Sequence, residues 1–142
     1  MMKWTICSLI FLFAGCGDTS APLPVLSDKF SDIQKQTLDR SCATAGCHLD
    51  GTKGPFLWLN RDSAYNQLLF THRIENDEAR KKYRALVVPG QPDSSFLFEK
   101  IADPNLSINN PLGERMPQRK SPLPQNEIDA IKNWIKRGAP ND

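Results

Sequence analysis

The sequence predicts an all-α domain built from three to five short helices and long loops. Apolar residues near the carboxyl terminus recur at helical spacing and form one stripe, Ile128, Ile131, Trp134 and Ile135. No stretch shows the regular apolar and polar alternation that a half-buried strand requires. The 11 prolines and 8 glycines among 142 residues divide the chain into short elements separated by turns.

The amino-terminal residues predict export and lipid attachment. An apolar run over residues 4–13 follows Lys3. It is shorter than the roughly 20 residues of a membrane-spanning helix and is typical of a signal-peptide core. The adjoining "LFAGC" resembles the lipobox of bacterial lipoproteins, with Phe13 where leucine is usual. This resemblance implies that Cys16 carries lipid and becomes the first residue of the mature protein.

The domain organisation follows from this interpretation. We expect residues 1–15 to be a lipoprotein signal peptide, residues 16–29 a polar, proline-containing tether, and residues 30–142 the folded domain. The protein would be exported and lipid-anchored to a bacterial membrane, facing the periplasm or the cell surface. An ordinary cleaved signal or a short hydrophobic anchor is the alternative.

Two helices are predicted in the first half of the folded domain. One runs into Cys42, and its inward positions are Phe30, Ile33, Thr37 and Leu38. The other covers residues 62–70, with Asp62 or Ser63 as its N-cap. Its core-facing positions are Ala64, Leu68 and Leu69. The glycine-containing loop between the two helices offers inward candidates in Phe56, Leu57, Trp58 and Leu59.

A charged segment and a further helix follow. Residues 71–84 predict a solvated insertion that is helical in part, with Ile74 and Tyr83 facing inward. After a Pro-Gly turn, Ser94 or Ser95 is expected to cap a helix. The apolar positions of this helix are Phe96, Leu97 and Ile101.

A long loop precedes the last helix. Residues 102–124 show no periodicity and contain several prolines, and loops of this length are usually functional or disordered. The last helix carries the apolar stripe and stops at Gly138 and Pro140. We expect it to cross the first helix through Phe30, Ile33, Ile131 and Trp134.

The stretch "SCATAGCH" contains the residues most suggestive of chemistry. If Cys7 leaves with the signal peptide and Cys16 carries lipid, Cys42 and Cys47 are the only cysteines of the exported domain. In an oxidising compartment such a pair forms a disulfide or is captured by another group. A c-type haem uses two thiols and a histidine that directly follows the second one, as His48 does here.

The spacing leaves three interpretations open. Four residues separate the cysteines where haem attachment usually has two, and Gly46 makes the required backbone bulge sterically possible. Some multihaem cytochromes use this longer spacer. A zinc site would need His72 as a fourth ligand, and the adjacency of Cys47 and His48 is awkward for tetrahedral closure. A plain disulfide satisfies the same compartment argument but leaves the positions of His48 and Met116 unexplained.

Haem iron in an electron carrier has a second axial ligand, commonly methionine or histidine. Met1 and Met2 leave with the signal peptide, so Met116 is the only methionine of the mature chain. It lies in the irregular loop before a proline, whereas a methionine that only fills a core gap is expected on a helix stripe. His72 is the rival ligand, although its charged surroundings favour a solvated surface histidine.

Other residues have weaker links to such a site. Trp58 and Trp134 could line a haem pocket, but ordinary core positions are favoured because aromatic rings contribute so much burial. Arg115, Arg119 and Lys120 flank Met116 and could steer an acidic redox partner or meet a haem propionate. A solvated charged loop is the simpler interpretation of these three residues.

The region from about residue 30 to residue 140 resembles the planctomycete-type cytochrome c domain. The resemblance is carried by "CATAGCH", "GPFLWL", "AYNQLL", "VPGQPDSSFLFEKI", "RMPQ" and "EIDAIKNWIKRGAP", in that order. It implies a cytochrome c-like fold around one covalent haem c. Cys42 and Cys47 would form the thioethers, His48 would be the proximal iron ligand and Met116 the distal one. The cysteine spacer departs from the family pattern, and the charged segment 71–84 is longer than expected.

These observations predict an electron carrier. The protein would pass one electron at a time to or from a redox partner protein that the sequence does not identify. Alternatives are a haem-based peroxidase-like enzyme or gas sensor with an open distal site, and a haem-free interaction lipoprotein with a disulfide. The net charge of +2 does not favour nucleic acid as a partner. The sequence contains no catalytic triad, carboxylate pair or phosphate loop that supports a haem-independent enzyme.

Overall fold

The structure, a computed structural model, describes residues 23–49, 57–71 and 73–142. Within these ranges the α-helices are α1 (Phe30–Ile33), α2 (Ala64–Asn66), α3 (Asp77–Lys82), α4 (Phe96–Ala102) and α5 (Gln125–Lys136). The described residues form no strand, only an isolated bridge between Ala85 and Ser95. The all-α prediction is therefore confirmed. The predictions for the signal peptide, Cys16, Phe56 and His72 lie outside the described residues.

Helix α1 continues directly into wider π-helical turns over Gln34–Cys42. The amide of Ala43 closes this segment by donating to the carbonyl of Leu38 at 2.7 Å, a bond that spans five residues. The predicted inward positions of the segment are all buried, namely Phe30, Ile33, Thr37 and Leu38. The π-helical turns therefore carry the chain along the core and end at Cys42.

The first and last helices pack together as predicted. The centroids of the Phe30 and Trp134 rings are 5.1 Å apart, and Phe30 also meets Tyr65 edge-on at 5.2 Å. Ile33 and Ile131 are both about 1% exposed. The Trp134 indole Nε1 donates to the carbonyl of Pro140 at 2.8 Å, so its one polar group is satisfied inside the core.

The segment before α2 corrects one prediction. Leu59 is buried and Leu57 is half-buried, but Trp58 is 41% exposed and does not face the core. The Leu59 amide donates to the carbonyl of His48 at 2.8 Å. In extended chain, neighbouring side chains point to opposite sides, so three consecutive residues cannot all face inward.

Helix α2 and its π-helical continuation, Gln67–Thr71, bury Ala64 and Leu68 as predicted, and Leu69 packs against the core from a half-buried position. Ser63 occupies the N-cap position without a side-chain capping bond. The Ser63 amide instead donates to the Oδ1 of Asn60 at 3.1 Å.

The charged segment is partly helical, as expected. Ile74 and Tyr83 are buried on either side of α3, and Ala79 within it is fully buried. The side chain of Asn76 caps α3 by accepting from the Ala79 amide at 2.8 Å.

Ser95 lies at the N-cap position of α4 but its hydroxyl does not cap the helix, contrary to prediction. The Ser95 Oγ accepts from the amide of Val88 at 2.8 Å and donates to the carbonyl of Gln91 at 2.9 Å. Its hydroxyl therefore joins α4 to the preceding turn. Phe96 and Ile101 are buried and Leu97 is half-buried, as predicted.

Helix α5 ends where the sequence predicts. Gly138 has a φ of +94°, and the Ala139 amide donates to the carbonyl of Trp134 at 3.0 Å. The Gly138 amide donates to the carbonyl of Ile135 at 2.9 Å. These paired bonds form a Schellman motif, which requires the left-handed conformation that glycine adopts at little cost.

The described part of the predicted tether lies beside α5. The Asn126 side-chain nitrogen donates to the carbonyl of Pro24 at 2.8 Å, and Arg137 donates to both the carboxylate and the carbonyl of Asp28. Contacts with the folded domain thus begin before Phe30. None of the described helices combines the length and the apolar character needed to cross a membrane.

Candidate functional site

The residues from Cys42 to His48 form a closed loop. The His48 amide donates to the carbonyl of Cys42 at 3.1 Å, and the Cys47 amide donates to the carbonyl of Thr44 at 2.9 Å. Gly46 turns the chain with a φ of +73°, a conformation that favours glycine. The backbone therefore accommodates the four-residue spacer. As whole residues, Cys42 and Cys47 are partly buried, and no disulfide joins them.

The imidazole of His48 is oriented by the main chain. Its Nδ1 lies 3.1 Å from the carbonyl oxygen of Leu57. Because a carbonyl oxygen only accepts, Nδ1 donates and the neutral ring leaves the lone pair of Nε2 free. Burial lowers the pKa of His48, and the bond to Leu57 offsets part of this effect. A neutral histidine fixed through one nitrogen is suited to bind a metal through the other.

His48 borders a largely apolar cavity of about 260 Å³. Side chains from several elements line the cavity, among them Leu59, Leu68, Ile74, Phe96, Ile101 and Leu112. A smaller cleft of about 90 Å³ shares three lining residues with it, Cys42, His48 and Met116. Cys47 also lines the smaller cleft, as does the exposed Lys120.

The structure thus brings together four residues that were singled out from the sequence. Cys42, Cys47, His48 and Met116 all line the same cleft, although Met116 is far from the others in the chain. Of the two tryptophans considered, neither borders the cavity or the cleft. Trp134 lies in the core, and Trp58 faces solvent.

Met116 belongs to the loop between α4 and α5. Its side chain is half-buried and packs against the core, and its amide donates to the carbonyl of Lys100 at 2.7 Å. The next residue, Pro117, is buried and also lines the cleft. The loop has no helix or strand of its own, so a few specific bonds hold Met116 in place.

The flanking basic residues differ in their surroundings. Arg119 and Lys120 are exposed, in agreement with a solvated loop. Arg115 is half-buried, and its Nη1 has no hydrogen-bond partner among the described residues. The Lys120 Nζ lies 3.4 Å from the hydroxyl of Thr44, within the loop that joins the two cysteines.

The surroundings of Cys42 keep its thiol protonated. Burial raises the pKa of Cys42 to about 12, and the nearby carboxylate of Glu127 acts in the same direction. Reactive cysteines need the opposite environment, an electropositive site that lowers the thiol pKa. Cys42 is therefore poorly suited to act as a nucleophile by itself.

Sequence reasoning missed three polar residues that line the cavity, Glu75, Asn76 and Lys100. The side-chain nitrogen of Asn76 donates to the carbonyl of Pro111 at 3.0 Å, and the Lys100 Nζ donates to that of Leu112 at 3.1 Å. Lys100 follows Phe96 by four residues, which places it on the inward face of α4. This helical spacing was the signal available in the sequence.

The chain has no match among family models, curated proteins or solved structures. Within the described ranges, no three His, Cys, Asp or Glu side chains are grouped closely enough to hold a metal ion. A haem iron, by contrast, needs only two axial ligands from the protein.

Proposed function

We propose that the protein is a c-type cytochrome with a cytochrome c-like fold and one covalent haem c. The single observation that carries this proposal is the cleft lined by Cys42, Cys47, His48 and Met116 beside an apolar cavity. When bound, the haem supplies the one-electron chemistry of its iron, while the protein provides attachment, ligation and burial.

The residues fit this group in type and environment. The Nδ1 bond of His48 leaves Nε2 available as the proximal ligand, and Met116 offers a thioether as the distal ligand. The thiols of Cys42 and Cys47 would form the thioethers to the haem. The apolar lining of the cavity matches a flat, mostly hydrophobic ligand and keeps water from its faces.

A haem iron bound by two protein side chains is suited to electron transfer and not to catalysis at the iron. Histidine and methionine together place the potential of a haem higher than two histidines do. If His48 and Met116 both held the iron, no open site would remain for a peroxide or a diatomic gas. The protein would therefore exchange one electron at a time with a redox partner protein, and ligand exchange would be slow.

The proposed location also follows from the sequence. A lipid on Cys16 would hold the domain at a bacterial membrane, facing the periplasm or the cell surface. Covalent attachment of haem c takes place in that exported compartment, where the cysteine pair is otherwise exposed to oxidation. The location and the site are thus mutually consistent.

Covalent attachment can be tested directly. The full chain is expressed with haem-maturation machinery, and a denaturing gel is stained for haem. We expect the wild type to keep its haem and the double variant Cys42→Ser, Cys47→Ser to lose it, because no thioether remains. Ser41→Ala, next to the first cysteine, is the matched control and should keep the haem. A wild-type protein that loses its haem on the gel would contradict the proposal.

A further inference from the structure

Lys100 is an unusual residue for the wall of an apolar cavity. It lies half-buried on the inward face of α4, and the cavity beside it is also lined by Phe96 and Ile101. None of the ion pairs among the described residues involves Lys100. Burial of an ammonium group is costly unless its donors find partners, so these partners indicate what the residue does.

The partners of the Lys100 amine belong to the loop that carries Met116. The Nζ atom donates to the main-chain carbonyl of Leu112 at 3.1 Å and to that of Glu114. Gly113 lies between these two carbonyls with a φ of +78°, and a Cβ added there would be 3.4 Å from the Lys100 Nζ. The loop therefore curves closely around the amine.

The main chain of Lys100 makes a further hydrogen bond to the same loop. Its carbonyl accepts the amide of Met116 at 2.7 Å. One residue of a regular helix thus contacts the loop on both sides of Arg115, through its side chain and through its backbone. A hydrogen bond from a charged donor is stronger than one between neutral groups, so it contributes much to a loop without regular structure.

We propose that Lys100 is a positioning residue that fixes residues 112–116 and so keeps Met116 at the cleft as the distal ligand. The ligand part of this inference rests on the proposed function, whereas the loop contact stands without it. Lys100→Leu would keep an apolar side chain on the same face of α4 but would provide no donor to the loop.

The test compares Lys100→Leu with Lys132→Leu in the full chain produced with haem-maturation machinery. Lys132 is the matched control because it is also half-buried, on α5, with its amine 5.6 Å from the centroid of the Phe98 ring. Lys100→Leu removes both hydrogen bonds of the amine, and hydrogen exchange at residues 112–116 should be at least about ten- to hundredfold faster, the factor expected from the loss of one charged hydrogen bond. The control should exchange as the wild type does.

A spectroscopic measurement then tests the ligand. The sulfur-to-iron charge-transfer band of the ferric protein should be weakened in Lys100→Leu and unchanged in Lys132→Leu. Leucine carries no sulfur, so the band in both variants reports on Met116. Gly113→Ala disturbs the same contact from the loop side, because alanine is strained at a φ of +78°. It should reproduce both effects, and it decides the question if Lys100→Leu does not fold.

The outcomes separate the two proposals. Unchanged exchange at residues 112–116 in a folded Lys100→Leu protein overturns the loop contact. Faster exchange with an unchanged charge-transfer band overturns the positioning of Met116 by Lys100. If the wild type attaches no haem, the proposed function fails and the role of Lys100 in ligation fails with it. The exchange measurement on the haem-free chain still decides whether Lys100 holds the loop.

Discussion

The surroundings of Cys42 stabilise its protonated thiol relative to the thiolate. Burial raises its thiol pKa to about 12, with a contribution from Glu127. The folded state therefore opposes ionisation, and only the unfolded chain releases the thiol proton at moderately alkaline pH. Such a thiol reacts slowly with oxidants and alkylating agents, because the thiolate is the reactive form.

This environment predicts slow alkylation of Cys42 in protein made without haem. At about pH 8, iodoacetamide should label Cys42 about 100-fold more slowly in the folded protein than in guanidinium, since the thiolate is the reactive form. Peptide mass spectrometry gives both rates. Glu127→Gln should speed the reaction modestly by removing the neighbouring negative charge. Equal rates in the folded and unfolded protein would contradict the assigned burial.

Met116 is expected to be the distal ligand. In Met116→Ala, the ferric protein should lose the sulfur-to-iron charge-transfer band, and the reduced protein should bind carbon monoxide rapidly because a coordination position opens. His72→Ala is the matched control for the rival ligand and should behave as the wild type. A low-spin spectrum that survives in Met116→Ala would transfer the role to His72. Rapid carbon monoxide binding by the wild type would favour a sensor or an enzyme.

The four central site residues were identifiable from the sequence because their chemistry is distinctive. Two thiols, an adjacent histidine and a single loop methionine have few common explanations together. Lys100 was missed because most lysines are solvated, and only its place on the inward face of α4 marks it. The prediction for Trp58 was wrong because the alternation of extended chain was not applied to its segment.

At the scale of elements, hydrophobic periodicity predicted the helices but not their detailed geometry. The stripe of α5 and the buried positions of α1 agree with the structure. The π-helical turns that follow α1 have no recognised sequence signal. The hydrogen bonds that Asn76 and Lys100 make to the loop of residues 102–124 could not be predicted from the sequence either. Each joins a side chain to a main-chain carbonyl of the loop. Such bonds depend on tertiary packing and leave no periodic pattern.

The hydroxyl of Ser95 links α4 to the turn before it, and its removal should lower the stability of the fold. Ser95→Ala leaves the Val88 amide without its acceptor in the core and should lower the free energy of unfolding by about 1–3 kcal/mol. Urea unfolding measures the change. Ser94→Ala is the matched control, since Ser94 is exposed and its side chain makes no such bond. Equal stability of the two variants would show that the hydroxyl of Ser95 is not structurally important.

At the scale of the whole molecule, the helices surround a space that their own side chains do not fill. The apolar cavity of about 260 Å³ lies between the π-helical end of the first helix, α4 and the loop that carries Met116. The resemblance noted in the sequence implied a fold built around one haem. It did not predict which side chains border the space, because they come from segments that are distant in the chain.

The unfilled cavity predicts that the haem contributes to the stability of the fold. A haem bound there would remove the apolar lining of the cavity from water. The free energy of unfolding should therefore be a few kcal/mol higher in the haem-loaded protein than in the haem-free protein. Guanidinium unfolding of the two forms measures the difference.

Met116→Ala with covalent haem separates two contributions to this stability, burial of the haem in the cavity and ligation of its iron. The variant keeps the haem in the cavity while it removes one ligand. Its stability should lie nearer to the haem-loaded wild type, since burial of apolar surface contributes more than a single axial bond. Similar stability of the haem-loaded and haem-free wild type would mean that the haem does not occupy this cavity.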